Sequence, residues 1–151
     1  MFSEKDREIM QEVRGLFSNN GKQPDYYEPL SGIVLAVKGN FEIHKLLIAC
    51  IDKTLIISTV DYLPAKGCSA ELFKYILHIN QKITDGCFYY SERWDGFGFR
   101  INCSVVDNPL KDLLFDRLGY AASVLDLYIP EIFLHTFENI CEGKTQNPTY
   151  H

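Results

Sequence analysis

The sequence predicts a single two-layer α+β domain, an antiparallel sheet packed with helices in the order α-β-β-β-α-β-β-α. Three observations predict it. From Ile33 to Val60, the turn signals Gly39-Asn40 and Asp52-Lys53 divide three segments rich in Ile, Leu and Val, which reads as a three-stranded meander. A second pair of strand-like runs is split by Asp95-Gly96. Segments with apolar residues at three-to-four spacing precede, separate and follow these strands, which places helices in a layer of their own.

Glu4 to Phe17 reads as an amphipathic helix with Ile9, Val13 and Leu16 or Phe17 on a narrow stripe. Ser18-Asn19-Asn20-Gly21 ends it, and the breaker-rich stretch through Asp25, Tyr26, Tyr27 and Pro29 is expected to be a loop lying over a sheet edge. In the first strand Ile33, Leu35 and Val37 share a face opposite Val34 and Ala36. In the second, His44 to Cys50, Leu46, Ile48 and Cys50 oppose Leu47 and Ala49, and in the third, Thr54 to Val60, Leu55 and Ile57 oppose Ile56. Both faces are apolar, whereas a sheet with one face in water alternates apolar and polar residues. The outer face is therefore expected to be covered by the Tyr-rich loop, the N-terminal helix or a second copy of the protein.

Ser69 is an expected N-cap for a helix with Leu72, Tyr75 or Ile76, Ile79 and Ile83 on its apolar stripe, and Glu71 favours its first turn. Phe88 to Glu92 and Phe97 to Val106 then form the second strand pair, with Phe97, Phe99 and Ile101 opposite Gly98, Arg100 and Asn102. Asn108-Pro109 starts the last helix, whose stripe runs through Leu110, Leu113, Leu114, Leu118, Ala121, Val124 or Leu125, and Tyr128. Pro130 lacks an amide hydrogen, so a kink or a new helix reaching about Ile140 is expected there. The domain is assigned to residues 1–141, and the apolar-poor stretch 142–151 to a flexible tail.

The chain has 151 residues, enough for one core that buries roughly 68% of the unfolded surface. Its charge of -5, from 15 basic and 20 acidic residues scattered along the chain, provides no cationic stripe for nucleic acid. With no leader pattern and no apolar run of about 18 residues, a cytoplasmic protein without a membrane span is expected. Cys50, Cys68, Cys87, Cys103 and Cys141 are isolated and mostly flanked by apolar residues, which reads as reduced, buried thiols without a CxxC pair.

The residues that could carry chemistry form no recognised constellation. His44 and His78 lack a metal-binding pattern, the carboxylates form no calcium loop, and Gly96 and Gly98 lie in a hairpin and not between a strand and a helix. Neither Ser58 nor Ser69 sits in a nucleophile elbow. No catalytic residue, metal or cofactor is assigned. Aromatics carry more information: Tyr26, Tyr27, Tyr62, Tyr89, Tyr90, Trp94, Phe97 and Phe99 combine large contact area with low entropy cost. Trp94, beside a tight turn, is the best exposed candidate. The expected partner-binding residues are Leu47, Ile56, Tyr89 and Trp94.

The run Leu72-Phe73-Lys74-Tyr75-Ile76-Leu77-His78-Ile79-Asn80, the segment from Phe88 to Val105, and Tyr128-Ile129-Pro130 in the last helix resemble the YbjN family. The likeness extends over about Phe2 to Ile140, and that family's domain looks like that of type III secretion chaperones. The resemblance implies a secretion chaperone-like fold. It also implies a homodimerising, non-enzymatic adaptor or chaperone-like module in bacteria, sometimes labelled a sensory transduction regulator. It assigns no catalytic residue and identifies no client. The alternative is a small-ligand protein or enzyme with a pocket between sheet and helices, lined by Tyr62, His78 or Arg100.

Overall fold

The computed structural model describes residues 3–19, 25–27, 32–65, 70–105 and 109–145. The elements run α1 (Glu4–Asn19), β1 (Asp25–Tyr27), β2 (Gly32–Lys38), β3 (Ile43–Ile51), β4 (Thr54–Thr59), β5 (Leu63–Pro64), α2 (Ala70–Lys82), β6 (Cys87–Ser91), β7 (Gly96–Ser104) and α3 (Leu110–Thr145). The expected order holds, with two short strands added. β1 is the Tyr-rich stretch, which pairs with the edge of β2 and so covers it as a strand. β5 continues β4 along the same edge of β7, because Ser58 pairs with Arg100 and Leu63 with Phe97, while β6 occupies the opposite edge. The whole sheet is antiparallel, with β1 and β6 outermost.

Period-two alternation sends Ile33, Leu35, Leu46, Ile48, Leu55, Ile57, Phe99 and Ile101 to one buried face. All three helices pack on it. Ile9, Met10, Val13 and Phe17 of α1 join the core, and the Phe17 ring meets Phe115 of α3 at 5.6 Å. The N-terminal helix is therefore not a cover for the outer face, because its buried stripe is already used on the inner one. In α2, Leu72, Ile76 and Ile79 are buried, and Phe73 packs edge-on against Tyr90 and Phe97. Each such side chain removed from water contributes about 1.5–3 kcal/mol.

Local chemistry explains the boundaries. Ser3 caps α1: its hydroxyl accepts the Asp6 amide at 3.1 Å, and the Asp6 carboxylate accepts the Ser3 amide at 3.0 Å. Asp52 and Lys53, at φ 50° and 62°, make the two-residue turn between β3 and β4. The helix starts expected at Ser69 and Asn108 lie outside the described residues.

α3 runs unbroken through Pro130 for 36 residues, roughly 54 Å, and does not divide or stop there. Proline inside a helix costs about 3 kcal/mol. Burial of Leu125 and Ile132 on either side of it offsets that cost, as does the contact of Glu131 and His135 with Tyr75 of α2. The helix also continues through residues 142–145, where the sequence suggests a tail; residues 146–151 lie outside the described ones.

At the outer edge of β6, Asn80 of α2 takes the place of a neighbouring strand. Its side-chain carbonyl accepts the Phe88 amide at 2.8 Å and its amide donates to the Phe88 carbonyl at 2.9 Å. Asn80→Ala leaves both backbone groups unpaired, and urea denaturation is expected to register a loss of roughly 1–3 kcal/mol. Unchanged stability would mean that water replaces the side chain without cost.

Candidate functional site

The outer face of the sheet carries the candidate site. Cross-strand register places Val34, Leu47, Ser58, Arg100 and Cys87 in one row, and Ala49, Ile56 and Asn102 in the next. Leu47 and Ile56 are half-buried there, as is Val34. They are not part of the core under the helices. Cys87, expected to be buried, is exposed, because the start of β6 turns its thiol to this outer side; Cys50 and Cys103 are buried as expected. Cys68 and the Cys141 side chain lie outside the described residues.

A local departure from the ladder shapes this face. The β4–β7 ladder ends at Ser58 and Arg100, and the Thr59 hydroxyl then accepts the Phe99 amide at 3.0 Å, so the chain bends outward through Val60, Asp61 and Tyr62. Tyr62 lies back across β7 over Gly98, where any Cβ would meet its ring at 2.7 Å. The Tyr62 and Tyr89 hydroxyls are 2.9 Å apart and their rings meet edge-on at 6.0 Å. Burial, followed by this hydrogen bond, pushes the Tyr89 hydroxyl above its ordinary pKa. Trp94, 59% exposed, stacks beside Tyr62 at 6.5 Å, and the Arg93 guanidinium lies 5.0 Å from the Trp94 ring centre.

Together these residues bound a half-open groove of about 540 Å³, lined by Val34, Leu47, Ser58, Thr59, Val60, Asp61, Tyr62 and Trp94. Of the four expected partner-binding residues, the fold brings Leu47 and Trp94 to the groove wall, puts Tyr89 behind Tyr62, and leaves Ile56 one row away on the same face. The sequence reading missed Val60, Phe41 and Ile43 as surface residues. Phe41 is 83% exposed and Ile43 65%. For Phe41 the position directly after Gly39-Asn40 was the available signal, since a turn tip has no sheet to bury its side chain; Ile43 opens β3 opposite Lys38, at the end of the sheet.

A second cavity, about 180 Å³, lies across the bend between the sheet and α3, with His44, Tyr62, Leu125 and Ile129 among its walls. It is smaller than the roughly 300 Å³ at which ligand pockets usually begin. Of the residues expected to line such a pocket, Tyr62 does so, His78 is exposed on α2, and Arg100 is on the outer face, bonded to Asn102. His44 is a core histidine whose Nε2 donates to Asp126 at 2.7 Å, and Asp126 also accepts the Asn40 amide at 2.6 Å. The His44 bond, then the Asn40 amide, hold the Asp126 carboxyl below its ordinary pKa. Asp126 escaped notice in the sequence because it sits within the apolar stripe of α3. Among the described residues no group of three or more His, Cys, Asp or Glu is arranged to hold a metal, and no helix is long and apolar enough to cross a membrane.

No protein-family model matches the sequence, and no curated protein matches it. Solved structures do match in fold. YbjN from E. coli, a candidate transcription regulator, is similar with a TM-score of 0.58 and 12% identity over 77% of this chain and 86% of YbjN. The Yersinia pestis type III secretion chaperone SycH, solved with a stable fragment of YscM2, has a TM-score of 0.49 and 14% identity over 80% of this chain and 97% of SycH. The chain has the α+β fold of YbjN.

Proposed function

We propose that this protein is a non-enzymatic, self-associating interaction adaptor, chaperone-like in architecture, that binds protein through the outer face of its sheet. The observation that carries this reading is the groove between Leu47 and Trp94, where Val34, Leu47, Val60, Tyr62 and Trp94 stand beside Ser58, Thr59 and Asp61 outside the helical layer. Aromatic anchors of this kind dominate protein-binding energies, because they bury large area without ordering a long side chain. The fold shared with YbjN is compatible with the same reading, because in this chain all three helices pack on the inner face and leave the outer one uncovered by them. The partner-binding residues are Leu47, Ile56, Tyr89 and Trp94, with Tyr62 and Val60 added by the geometry.

A photo-crosslinking residue placed at Trp94 tests this in cells of the source organism. Covalent adducts with protein are expected from that position and not from His78, which is exposed on α2. An absence of adducts at Trp94, or equal labelling at both positions, would overturn the reading.

A further inference from the structure

The groove on the outer face is acidic, aromatic and apolar, and none of its walls is basic. Asp61 is the single charged residue among them. It is exposed at the outward bend, and among the described residues no Lys, Arg or His side chain pairs with it. Its neighbour Tyr62 is stacked with Trp94, the two rings lying 23° from parallel. The face of an aromatic ring carries partial negative charge, so the rings and the carboxylate attract the same kind of group, a cation.

The molecule holds an internal instance of that contact. The Arg93 guanidinium lies 5.0 Å from the centre of the Trp94 ring. Arg93 is exposed and is not a wall of the groove, so it can yield the ring to an incoming group. Arg100, beside Ser58 in the register, is bonded to Asn102 and is not a wall either. Arginine suits these walls better than lysine. Its planar guanidinium stacks on aromatic faces and meets a carboxylate through two parallel hydrogen bonds, whereas an ammonium is a compact, strongly hydrated charge. Its methylene stem covers apolar surface, which Leu47 and Val60 provide. At about 540 Å³ the groove is within the usual range of ligand sites. The net charge of -5 draws a cationic segment toward the molecule as a whole.

We infer that the outer groove takes an arginine from a segment of a partner protein, its guanidinium held by Asp61 and the Tyr62 and Trp94 rings and its stem by Leu47 and Val60. This deepens the adaptor reading by naming the chemistry of the partner, and rests on it.

Selection of a random heptapeptide library on the purified protein tests it. The bound peptides are expected to share an arginine next to an apolar residue. Replacing that arginine by citrulline, which keeps the shape and removes the charge, is expected to weaken binding tenfold or more, and so is Asp61→Asn in the protein. Arg93→Ala is expected to leave binding equal or stronger, since a competing guanidinium is gone. Both variants are at exposed positions, and unchanged circular dichroism and melting exclude misfolding. Enrichment of acidic or uncharged peptides, no enriched peptide, undiminished binding of the citrulline form or by Asp61→Asn, or loss of binding in Arg93→Ala overturns the inference. If the selection fails yet Trp94 crosslinks to protein in cells, arginine docking fails while the adaptor reading stands; if neither succeeds, both fail.

Discussion

Asp6→Ala is expected to bring the protein close to unfolding at neutral pH. The carboxylate is fully buried and accepts four donors: the amides of Ser3 at 3.0 Å, Asp52 at 3.0 Å and Lys53 at 2.7 Å, and the Cys50 thiol at 3.4 Å. It caps the first helix and holds the β3–β4 turn at once. That turn places two side-chain-bearing residues in left-handed backbone, at about 1–2 kcal/mol each, and their amides point at this one acceptor. Removing the carboxylate strands three amides at roughly 1 kcal/mol or more apiece, a large part of a typical total stability of about 5–15 kcal/mol.

The same group gives a signed pH dependence. Burial acts to raise its pKa, but the amides of Ser3, Lys53 and Asp52 and the Cys50 thiol outweigh that and hold it well below the carboxylate range. A depressed folded pKa means that the stabilisation is fully present above the unfolded value of about 3.9 and is lost as pH falls below it. The melting-temperature difference between wild type and Asp6→Asn should therefore be largest near neutrality and shrink as the solution is acidified through about pH 4. A constant difference across that range would mean that the charge contributes nothing. Cys50, buried beside this carboxylate, has its pKa pushed up to about 12 and remains a thiol throughout.

Gly98→Val is expected to dismantle the aromatic wall of the groove while the core remains. A Cβ at this position would sit 2.7 Å from the Tyr62 ring and 3.0 Å from both the Thr59 and Tyr89 hydroxyl oxygens. Thr59 is held by the Phe99 amide, so Tyr62 is the group that must leave. Its departure breaks the 2.9 Å hydroxyl pair with Tyr89 and the stacking against Trp94. Overpacking of this kind costs roughly 1–3 kcal/mol. Trp94, the single tryptophan, reports the change directly: its emission should shift toward that of a hydrated indole. Unaltered emission with intact crosslinking would show that Tyr62 is not the support of Trp94.

The elements were legible because their signals are local. Ile9, Val13 and Phe17 repeat at helical spacing, Phe97, Phe99 and Ile101 alternate, and each set is buried as its period requires. Asp52-Lys53 and Asp95-Gly96 mark the hairpins, and Asp52, Lys53 and Asp95 take positive φ. The separate helix expected as one alternative at Pro130 does not form, because the cost that proline adds within its own helix is offset by side chains on α2, far away in sequence.

The candidate site was legible only in part. Period two placed Leu47 and Ile56 together on a face, and the tight turn exposed Trp94. The bend that lays Tyr62 over Gly98, and the carboxylate of Asp126 beneath the Phe41 turn, depend on residues brought together from distant parts of the chain.

By itself the sequence determined the α+β class, the hairpins and the inner face of each element, since backbone geometry repeats every 2 or 3.6 residues and apolar side chains must follow that repeat. Only the tertiary structure decided that all three helices share one face, that Asp6 and Asp126 are structural clamps, and that the opposite face carries a groove between Leu47 and Trp94. Such contacts depend on how elements distant in sequence are packed, and no local period records that.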